Sequence, residues 1–291
     1  MLYIIVNPVS GKNIGLKMLE ELKKQLDSNE VIYKVLLSQY PGNSIELGKA
    51  CADDEQCSSV AVIGGDGTFN EVLNGFYPCK KPIAFIPAGT GNDFARVTGI
   101  TKNAELAVKY ILNGKTQACD IISTDYGLCL NLLGTGIDVE LLLRSNRYRK
   151  YFKGALSYYL ALIVTLFVFK NRQYTFSIDD GPKRSEVGFL AAVGNGKYCG
   201  GGLPVSPESS INDGKLDFVI IKKINRFSLP YLFALFLKGK LLTLKCVEHF
   251  RCEKISLKVT PKIALNFDGE LKEYNSVTAN VIKNALNIII P

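Results

Sequence analysis

The sequence is poor in the residues that build metal and disulfide centres. It has a single histidine, His249, in 291 residues, which excludes a zinc hydrolase built on several histidines. Its eight cysteines include no Cys-x-x-Cys spacing, which indicates reduced thiols and no zinc knuckle. The N-terminal segment lacks both the basic region and the apolar run of a secretory signal, so we predict a cytoplasmic protein.

Long apolar runs and the common nucleotide fingerprints are also missing. A transmembrane span needs roughly 20 apolar residues, and the best candidate, Ala155 to Phe169, is shorter and contains hydroxyl side chains. A Walker A motif is excluded because Asn13 follows Lys12 where serine or threonine is required. The run Gly65-Asp66-Gly67-Thr68-Phe69-Asn70 lacks the third glycine of a dinucleotide fingerprint. We therefore expect a soluble protein outside these two nucleotide-binding classes.

What is present favours a folded protein with an acidic partner. Hydrophobic residues make up 47% of the chain and the mean hydropathy is +0.12, which is ample for hydrophobic cores and excludes intrinsic disorder. The 35 basic and 27 acidic residues give a net charge of +8, which suits phosphate or an anionic membrane. Aromatic residues are not interleaved with the basic run, so nucleic acid is not a predicted partner.

Hydrophobic patterning divides the chain into two halves. Up to about residue 120, short apolar runs alternate with helical patterns, which predicts parallel strands joined by crossover helices; the predicted strands are Leu2–Val6, Val31–Leu37, Val60–Ile63 and Ile83–Ile86. After Cys119 the runs are mainly of β type, and helical periodicity is confined to Tyr151–Phe169 and Leu229–Leu244. We predict an α/β domain over 1–120 and a β-rich domain over 121–277, with 278–291 returning to the first.

Three glycine-bearing loops follow predicted strands in the first half. They are Asn7-Pro8-Val9-Ser10-Gly11-Lys12, Gly64-Gly65-Asp66-Gly67-Thr68 and Pro87-Ala88-Gly89-Thr90-Gly91-Asn92-Asp93. Parallel strands bring such loops to one carboxyl edge, where backbone N–H groups and helix N-termini attract phosphate. One loop alone would indicate only a tight turn. Three in succession favour a phosphate-binding site.

Polar residues in these loops have more than one interpretation. Thr68 and Glu71 have the spacing of a capping box, which predicts that Thr68 opens a helix. Asp66 is equally well interpreted as a helix cap or as a ligand to nucleotide-bound Mg²⁺. Asp93 has the same two interpretations, since it could simply complement a helix dipole.

These three loops resemble the nucleotide-binding blocks of the diacylglycerol kinase catalytic-domain family, which is related to sphingosine and ceramide kinases. The Gly-Gly-Asp-Gly-Thr block is shared with NAD kinases, and the other two blocks sharpen the resemblance. Later blocks agree with it: Gly194-Asn195-Gly196 with Gly200-Gly201-Gly202, Pro207, Asp213-Gly214-Lys215-Leu216-Asp217 and Asp268-Gly269-Glu270. A departure occurs at Ser38 to Asn43, where the family commonly has threonine first and aspartate last.

The resemblance implies an α/β fold, with an N-terminal doubly wound parallel-sheet nucleotide-binding domain and a C-terminal, mainly antiparallel β-sandwich domain. It implies that ATP contacts Asn7, Pro8, Val9, Ser10, Gly11, Ser38, Gly64, Gly65, Asp66, Gly67, Thr68, Phe69, Asn70 and Thr90. It implies a catalytic Mg²⁺ near Asp66, and a second, structural Mg²⁺ held by Asp213 with the backbone carbonyls of Ser210 and Lys215. Glu270 would be the base that takes the proton of the lipid hydroxyl.

The predicted activity is transfer of the γ-phosphate of ATP to the hydroxyl of diacylglycerol or a related lipid. Phosphoryl transfer depends on positioning and charge stabilisation, which suits a site without histidine. An NAD kinase or another soluble-alcohol kinase is the first alternative, and a non-catalytic lipid- or nucleotide-binding regulator is the second. Without the resemblance, Asp268-Gly269 would indicate only a hairpin turn, with Glu270 a solvated strand residue.

We expect the protein to act at a membrane surface. Arg144, Arg147, Arg149, Lys150 and Lys153 precede the apolar segment Ala155–Phe169, and this pattern is typical of peripheral contact with anionic lipid at the inner face. The alternative is a solvated basic loop followed by a core helix. The sequence is compatible with self-association of the chain.

Overall fold

The computed structural model describes residues 1–100, 103–148, 150–152 and 155–291. The helices of this part of the chain are α1 (Ile14–Ser28), α2 (Asn43–Asp53), α3 (Asp66–Phe76), α4 (Asp93–Thr98), α5 (Ala104–Asn113), α6 (Ile137–Tyr148), α7 (Ala155–Val168) and α8 (Leu229–Leu237), with 3-10 turns at Arg226–Ser228 and Leu241–Thr243. The strands are β1 (Leu2–Val6), β2 (Tyr33–Leu37), β3 (Ser59–Gly64), β4 (Ile83–Pro87), β5 (Lys115–Thr124), β6 (Gly127–Cys129), β7 (Leu132–Gly136), β8 (Arg172–Ile178), β9 (Arg184–Gly194), β10 (Leu216–Lys222), β11 (Val247–Cys252), β12 (Lys254–Thr260), β13 (Leu265–Phe267), β14 (Glu270–Lys272) and β15 (Ser276–Ile290).

The N-terminal half is a parallel sheet with helices on both faces. Its strands are ordered β2-β1-β3-β4, and each neighbouring pair is parallel. Successive side chains of a strand point to opposite faces. In β1, Ile4 packs with Leu19 and Leu22 of α1, whereas Ile5 packs on the other face with Phe69 of α3. The predicted doubly wound sheet is therefore confirmed.

The C-terminal half is mainly antiparallel. Strands β7, β8, β9, β10 and β12 pair antiparallel around a core that contains Tyr174, Phe176 and Phe218. The predicted helical segment 229–244 is interrupted, because α8 ends at Leu237 and Gly239 adopts a left-handed φ of 71°. Among the described residues, no helix combines the length and the apolar character that a membrane span needs.

Strand β15 connects the two halves. It pairs antiparallel with β12 and β5 and parallel with β4, where Ile288 lies opposite Ile83. Its two parts are separated by a register shift between Ile282 and Leu286. The division at residue 120 stays a prediction, and in the structure this position lies within β5.

Candidate active site

The three glycine loops meet at the carboxyl edge of the parallel sheet, following β1, β3 and β4. A Cβ atom on Gly89 would lie 2.6 Å from the Cα atom of Gly65. A Cβ atom on Gly11 would overlap the carbonyl oxygen of Ala88. Glycine is therefore required at Gly11 and Gly89 because the loops touch through their backbones. The predicted convergence of the loops is confirmed.

Asn7 and Thr68 link the first and second loops. The Asn7 Nδ2 atom donates a hydrogen bond to Thr68 Oγ1 at 2.9 Å. The predicted capping box is wrong, since α3 already begins at Asp66 and its N-cap residue is Gly65. Glu71 instead accepts a hydrogen bond from the backbone N–H of Gly42 at 3.2 Å. An extended Gly65 starts the helix three residues before Thr68, which leaves the threonine hydroxyl free to contact Asn7.

Asp66 caps a neighbouring helix and not its own. Its Oδ2 atom accepts from the backbone N–H of Asp93 and its Oδ1 atom from that of Phe94, each at 3.1 Å, at the N-terminus of α4. The structure is therefore compatible with both interpretations of Asp66. The carboxylate caps a helix, and it also lies at the glycine loops, where a nucleotide-bound Mg²⁺ is predicted. A Cβ atom on Gly91 would lie 3.2 Å from Asp66 Oδ2 and 3.5 Å from Asp93 Oδ2.

Asp93 ties the N-terminal half of the chain to the β-rich half. Its carboxylate accepts from the backbone N–H of Gly201 at 2.9 and 3.1 Å, which holds the glycine run 200–202 against α4. Burial raises the pKa of Asp93, and the nearby charge of Asp66 acts in the same direction. No pattern in the sequence predicts this long-range contact.

The remaining predicted nucleotide residues differ in exposure. Val9 is 73% exposed and Thr90 is exposed, whereas Ser10 and Asn70 are buried. Ser38 follows β2 and donates its backbone N–H to the carbonyl oxygen of Val6. Pro8 lies in the first loop, whereas Gly64 ends β3 and Gly67 lies in the first turn of α3. The ring of Phe69 is fully buried and lies 4.8 Å from that of Phe85. The Phe69 side chain is therefore part of the hydrophobic core, and only the backbone of Phe69 could contact a nucleotide.

Glu270 reaches the second glycine loop from the β-rich half. Asp268 and Gly269 have φ values of 49° and 96° and form a two-residue turn between β13 and β14, so the predicted hairpin is confirmed. The Glu270 Oε1 atom lies 3.9 Å from the position of a Cβ atom on Gly67. Burial raises the pKa of Glu270, the charge of Glu71 adds to this, and Lys272 opposes it.

Two hydrogen-bond systems fix the turn that carries Glu270. The Asp268 carboxylate accepts from three consecutive backbone N–H groups at 2.6, 3.0 and 2.8 Å, those of Leu130, Asn131 and Leu132. The Asn266 Oδ1 atom accepts from the N–H of Gly269 at 2.8 Å, and its Nδ2 atom donates to Asp138 Oδ2 at 3.0 Å. Burial raises the pKa of Asp138 to about 6.

Asn266 and Asp138 were missed by sequence reasoning. Asn266 is the one polar residue within the apolar run Ile263–Phe267, and Asp138 follows the glycine-rich end of β7. A buried amide in a short apolar strand needs hydrogen-bond partners, and this signal could have drawn attention to Asn266.

The oxygen donors suit Mg²⁺ at the loops better than at the second predicted site. Mg²⁺ in kinases is commonly held by one or two carboxylates together with substrate phosphates and water, and Asp66 and Asp93 supply two such carboxylates. At the second site, Asp213 accepts from the N–H of Lys215 at 3.0 Å and forms an ion pair with Arg251. The guanidinium group already neutralises this carboxylate. The magnesium site of Asp213, Ser210 and Lys215 therefore stays a prediction, and the proposed phosphoryl transfer does not depend on it.

Comparison with known proteins assigns the chain to a family. Residues 1–124 match the family described as diacylglycerol kinase catalytic domain. Residues 131–290 match the family described as YegS C-terminal NAD kinase beta sandwich-like domain, and this match covers more than half of the chain. The chain belongs to the diacylglycerol kinase family. The resemblance seen in the loop motifs is thereby confirmed.

Relatives of the diacylglycerol kinase family match along most of the chain. A diacylglycerol kinase of Bacillus subtilis is 30% identical over 271 residues, covering 92% of this chain and 88% of that protein. One of Staphylococcus carnosus is 28% identical, covering 92% and 87%. A crystal structure titled as a diacylglycerol kinase of Bacillus anthracis has a TM-score of 0.81 at 23% identity, covering 100% and 96% of the two chains. It confirms the α/β domain followed by a β-sandwich domain.

The wider fold includes an NAD-type kinase. Yeast NADH kinase, in complex with NADH, has a TM-score of 0.51 at 11% identity, covering 100% of this chain and 83% of that one. At this identity the likeness concerns the fold alone.

Proposed function

We propose that this protein is an ATP-dependent lipid kinase that phosphorylates the free hydroxyl of diacylglycerol or a closely related lipid. The observation that carries the proposal is the position of Glu270, whose carboxylate faces Gly67 in the Gly-Gly-Asp-Gly-Thr loop. A carboxylate that could accept a proton thus faces a loop that could bind phosphate, and the two come from different halves of the chain. Diacylglycerol kinase relatives at 30% and 28% identity support the same activity.

The loops would bind the phosphates of ATP. Backbone N–H groups at the start of α3 and the positive end of its dipole favour the γ-phosphate near Gly67. Asp66 and Asp93 would hold a magnesium ion, which supplies positive charge to the transferring phosphoryl group when bound. Asn7 positions Thr68, and Ser38 and Thr90 border the same edge.

Glu270 would act as the general base. Its carboxylate accepts the proton of the lipid hydroxyl, the hydroxyl oxygen forms a bond to the γ-phosphorus, and the bond from that phosphorus to the β-γ bridging oxygen breaks, so ADP leaves. A raised pKa brings a carboxyl group closer to neutral pH and makes it a stronger base. The anchored turn at Asp268 keeps Glu270 in one place during this transfer.

A transfer assay tests the proposal. Labelled ATP and Mg²⁺ are incubated with diacylglycerol, monoacylglycerol, sphingosine or undecaprenol in mixed micelles, and with NAD in a parallel reaction. We expect label in the diacylglycerol product, and its loss when EDTA replaces Mg²⁺. Label in another lipid would identify a different acceptor of the same class. Label in NAD alone would overturn the proposal in favour of an NAD kinase, and binding of ATP without transfer to any acceptor would favour a regulator.

A further inference from the structure

Tyr158 is a polar residue of α7 that the proposed phosphoryl transfer does not use. Helix α7 is mostly apolar, and the half-buried ring of Tyr158 packs against Leu141, Ala161 and Leu162, where α6 meets α7. The Tyr158 hydroxyl forms no hydrogen bond with any residue that the structure describes. A tyrosine hydroxyl that is withdrawn from bulk water normally has a hydrogen-bond partner, so this one is available to a ligand.

The hydroxyl of Tyr158 lies at the glycine run of the β-rich half. It is 2.7 Å from the position of a Cβ atom on Gly200, so the missing side chain of this glycine leaves room for the hydroxyl. The next residue, Gly201, donates its N–H to the Asp93 carboxylate. The N–H of Asp93 is in turn bound by Asp66 in the second glycine loop. The Tyr158 hydroxyl is therefore next to the contact that joins the glycine run to the candidate active site.

Carboxylates surround this end of Tyr158. Burial raises the pKa of Tyr158, and the charges of Asp93 and Asp138 act in the same direction. The neighbouring thiol of Cys199 has the same environment, because burial raises its pKa and four carboxylates add to this effect, namely Asp93, Asp138, Asp268 and Asp66. The Tyr158 hydroxyl therefore keeps its proton at neutral pH, and it can donate a hydrogen bond to a ligand oxygen.

The surroundings of Tyr158 restrict the chemistry of such a ligand. The nearby carboxylates would repel a phosphate or a carboxylate at this point, so an uncharged oxygen fits best. The ring of Tyr158 lies among apolar side chains and its hydroxyl lies near charged groups, so the residue spans a boundary in polarity. A diacylglycerol has groups in the same order: its ester carbonyls lie between the apolar acyl chains and the free hydroxyl.

We infer that Tyr158 determines acceptor specificity, because its hydroxyl donates a hydrogen bond to an ester carbonyl oxygen of the lipid whose free hydroxyl is phosphorylated. This inference rests on the proposed function and names the chemical class of the acceptor, a glycerolipid with ester-linked chains. Sphingoid bases, polyprenols and ether-linked glycerolipids lack this carbonyl. The ester does not take part in phosphoryl transfer, so the hydrogen bond stabilises the bound substrate and the transition state alike and acts on KM more than on kcat.

Kinetics with a pair of matched lipids test the inference. Tyr158→Phe removes the hydroxyl and keeps the ring, and Tyr159→Phe is the control, because Tyr159 is the next residue and is 60% exposed. The acceptors are dihexanoylglycerol and its diether analogue dihexylglycerol, in which methylene groups replace both ester carbonyls. We expect the wild type and the control to prefer the diester about fivefold in kcat/KM, mainly through KM. Tyr158→Phe should lose this preference, with its KM for ATP unchanged.

Calorimetric titration with the same two lipids, in the absence of ATP, separates this inference from the proposed function. If the wild type binds the diester more tightly, Tyr158→Phe loses this difference and no lipid is phosphorylated, the proposed function fails and the ester site stands. Phosphorylation with an unchanged diester preference in Tyr158→Phe would overturn the inference alone. Equal losses for diester and diether would also overturn it, since they would indicate a purely structural role. A wild type that binds neither lipid, or both equally well, would overturn it as well.

Discussion

At the scale of single residues, the surroundings of Glu270 set its chemistry. Burial and the charge of Glu71 raise its pKa, while Lys272 lowers it. A general base works only when deprotonated, so activity should rise with pH through this raised pKa. The carboxylate of Glu71 contributes through its charge, whereas its hydrogen bond to Gly42 needs only an oxygen acceptor.

Replacing Glu270 with Gln should lower kcat by about 10² to 10⁴, because the proton acceptor is lost, and should leave ATP affinity unchanged. The measurement is kcat against pH, with ATP binding by calorimetry. Glu71→Gln is the matched control: it keeps the hydrogen bond, removes the repelling charge, and should move the rising limb of the profile to lower pH. Normal turnover by Glu270→Gln would exclude Glu270 as the base.

The buried carboxyl group of Asp138 should make the stability of the protein depend on pH. Its pKa is about 6 in the folded protein, against 3.8 for the ordinary group, because it is buried. A raised pKa means that the folded state holds the proton more tightly, so Asp138 makes folding less favourable as pH rises through this range. Asp138→Asn should therefore stabilise the protein relative to wild type by about 2 kcal/mol more at pH 7.5 than at pH 4.5.

Urea unfolding of both proteins at the two pH values gives this difference. Asn can still accept from Asn266, so the contact with the Glu270 turn is kept. A difference that does not change with pH would show that Asp138 titrates normally in the folded state.

At the scale of elements, sequence reasoning succeeded where the signal is local. The apolar runs of β1, β3 and β4 and the Asp268-Gly269 turn were located because strand and hairpin preferences depend on a few adjacent residues. Motifs that carry a family resemblance also located the glycine loops. The capping role of Thr68 was predicted from local spacing as well, and it is wrong because α3 begins at Asp66, before Thr68, so the threonine hydroxyl bonds to Asn7 instead.

Contacts between distant elements could not be predicted. Asp66 caps α4, 27 residues further along the chain, and Asn266 reaches back 128 residues to Asp138. Asp93 binds Gly201 at a separation of 108 residues. No periodic pattern encodes such pairs, because each depends on how sheets and helices come together. These unpredicted contacts are the ones that fix the geometry of the cleft.

The packing of the second and third loops predicts that alanine substitutions at Gly89 and at Gly67 have different effects on stability. Gly89→Ala places a methyl group 2.6 Å from Gly65 Cα, so it should lower the free energy of unfolding by about 1 to 3 kcal/mol. Gly67→Ala meets only Glu270 Oε1, at 3.9 Å, and sits within α3, so its stability should be unchanged or slightly raised.

Activity separates the two variants further. Gly67→Ala should lose turnover while remaining fully folded, since its methyl group occupies the space between the loop and Glu270. Denaturant unfolding and kcat are the two measurements. A stable Gly89→Ala protein would contradict the backbone contact, and an active Gly67→Ala protein would contradict the placement of the reacting groups.

At the scale of the whole molecule, β15 makes the two halves one hydrogen-bonded sheet. Its first residues pair with β12 in the β-rich half, and Ile288 pairs with Ile83 in the N-terminal half. The candidate active-site groups come from both halves, since Glu270 Oε1 of the β-rich half approaches Gly67, the residue after Asp66. Their distance therefore depends on a shared strand as well as on the contact of Asp93 with Gly201.

This continuity predicts cooperative unfolding. Ile288 is fully buried, so Ile288→Ala should cost about 2 to 5 kcal/mol. If the halves unfold together, the loss should speed amide hydrogen exchange in β12 as much as in β4, although β12 is far along β15 from the substitution. Asn280→Ala, at an exposed position of the same strand, is the control and should change neither. Faster exchange confined to β4 and β5 would instead mean that the halves unfold separately, and would favour the predicted division into two independent domains.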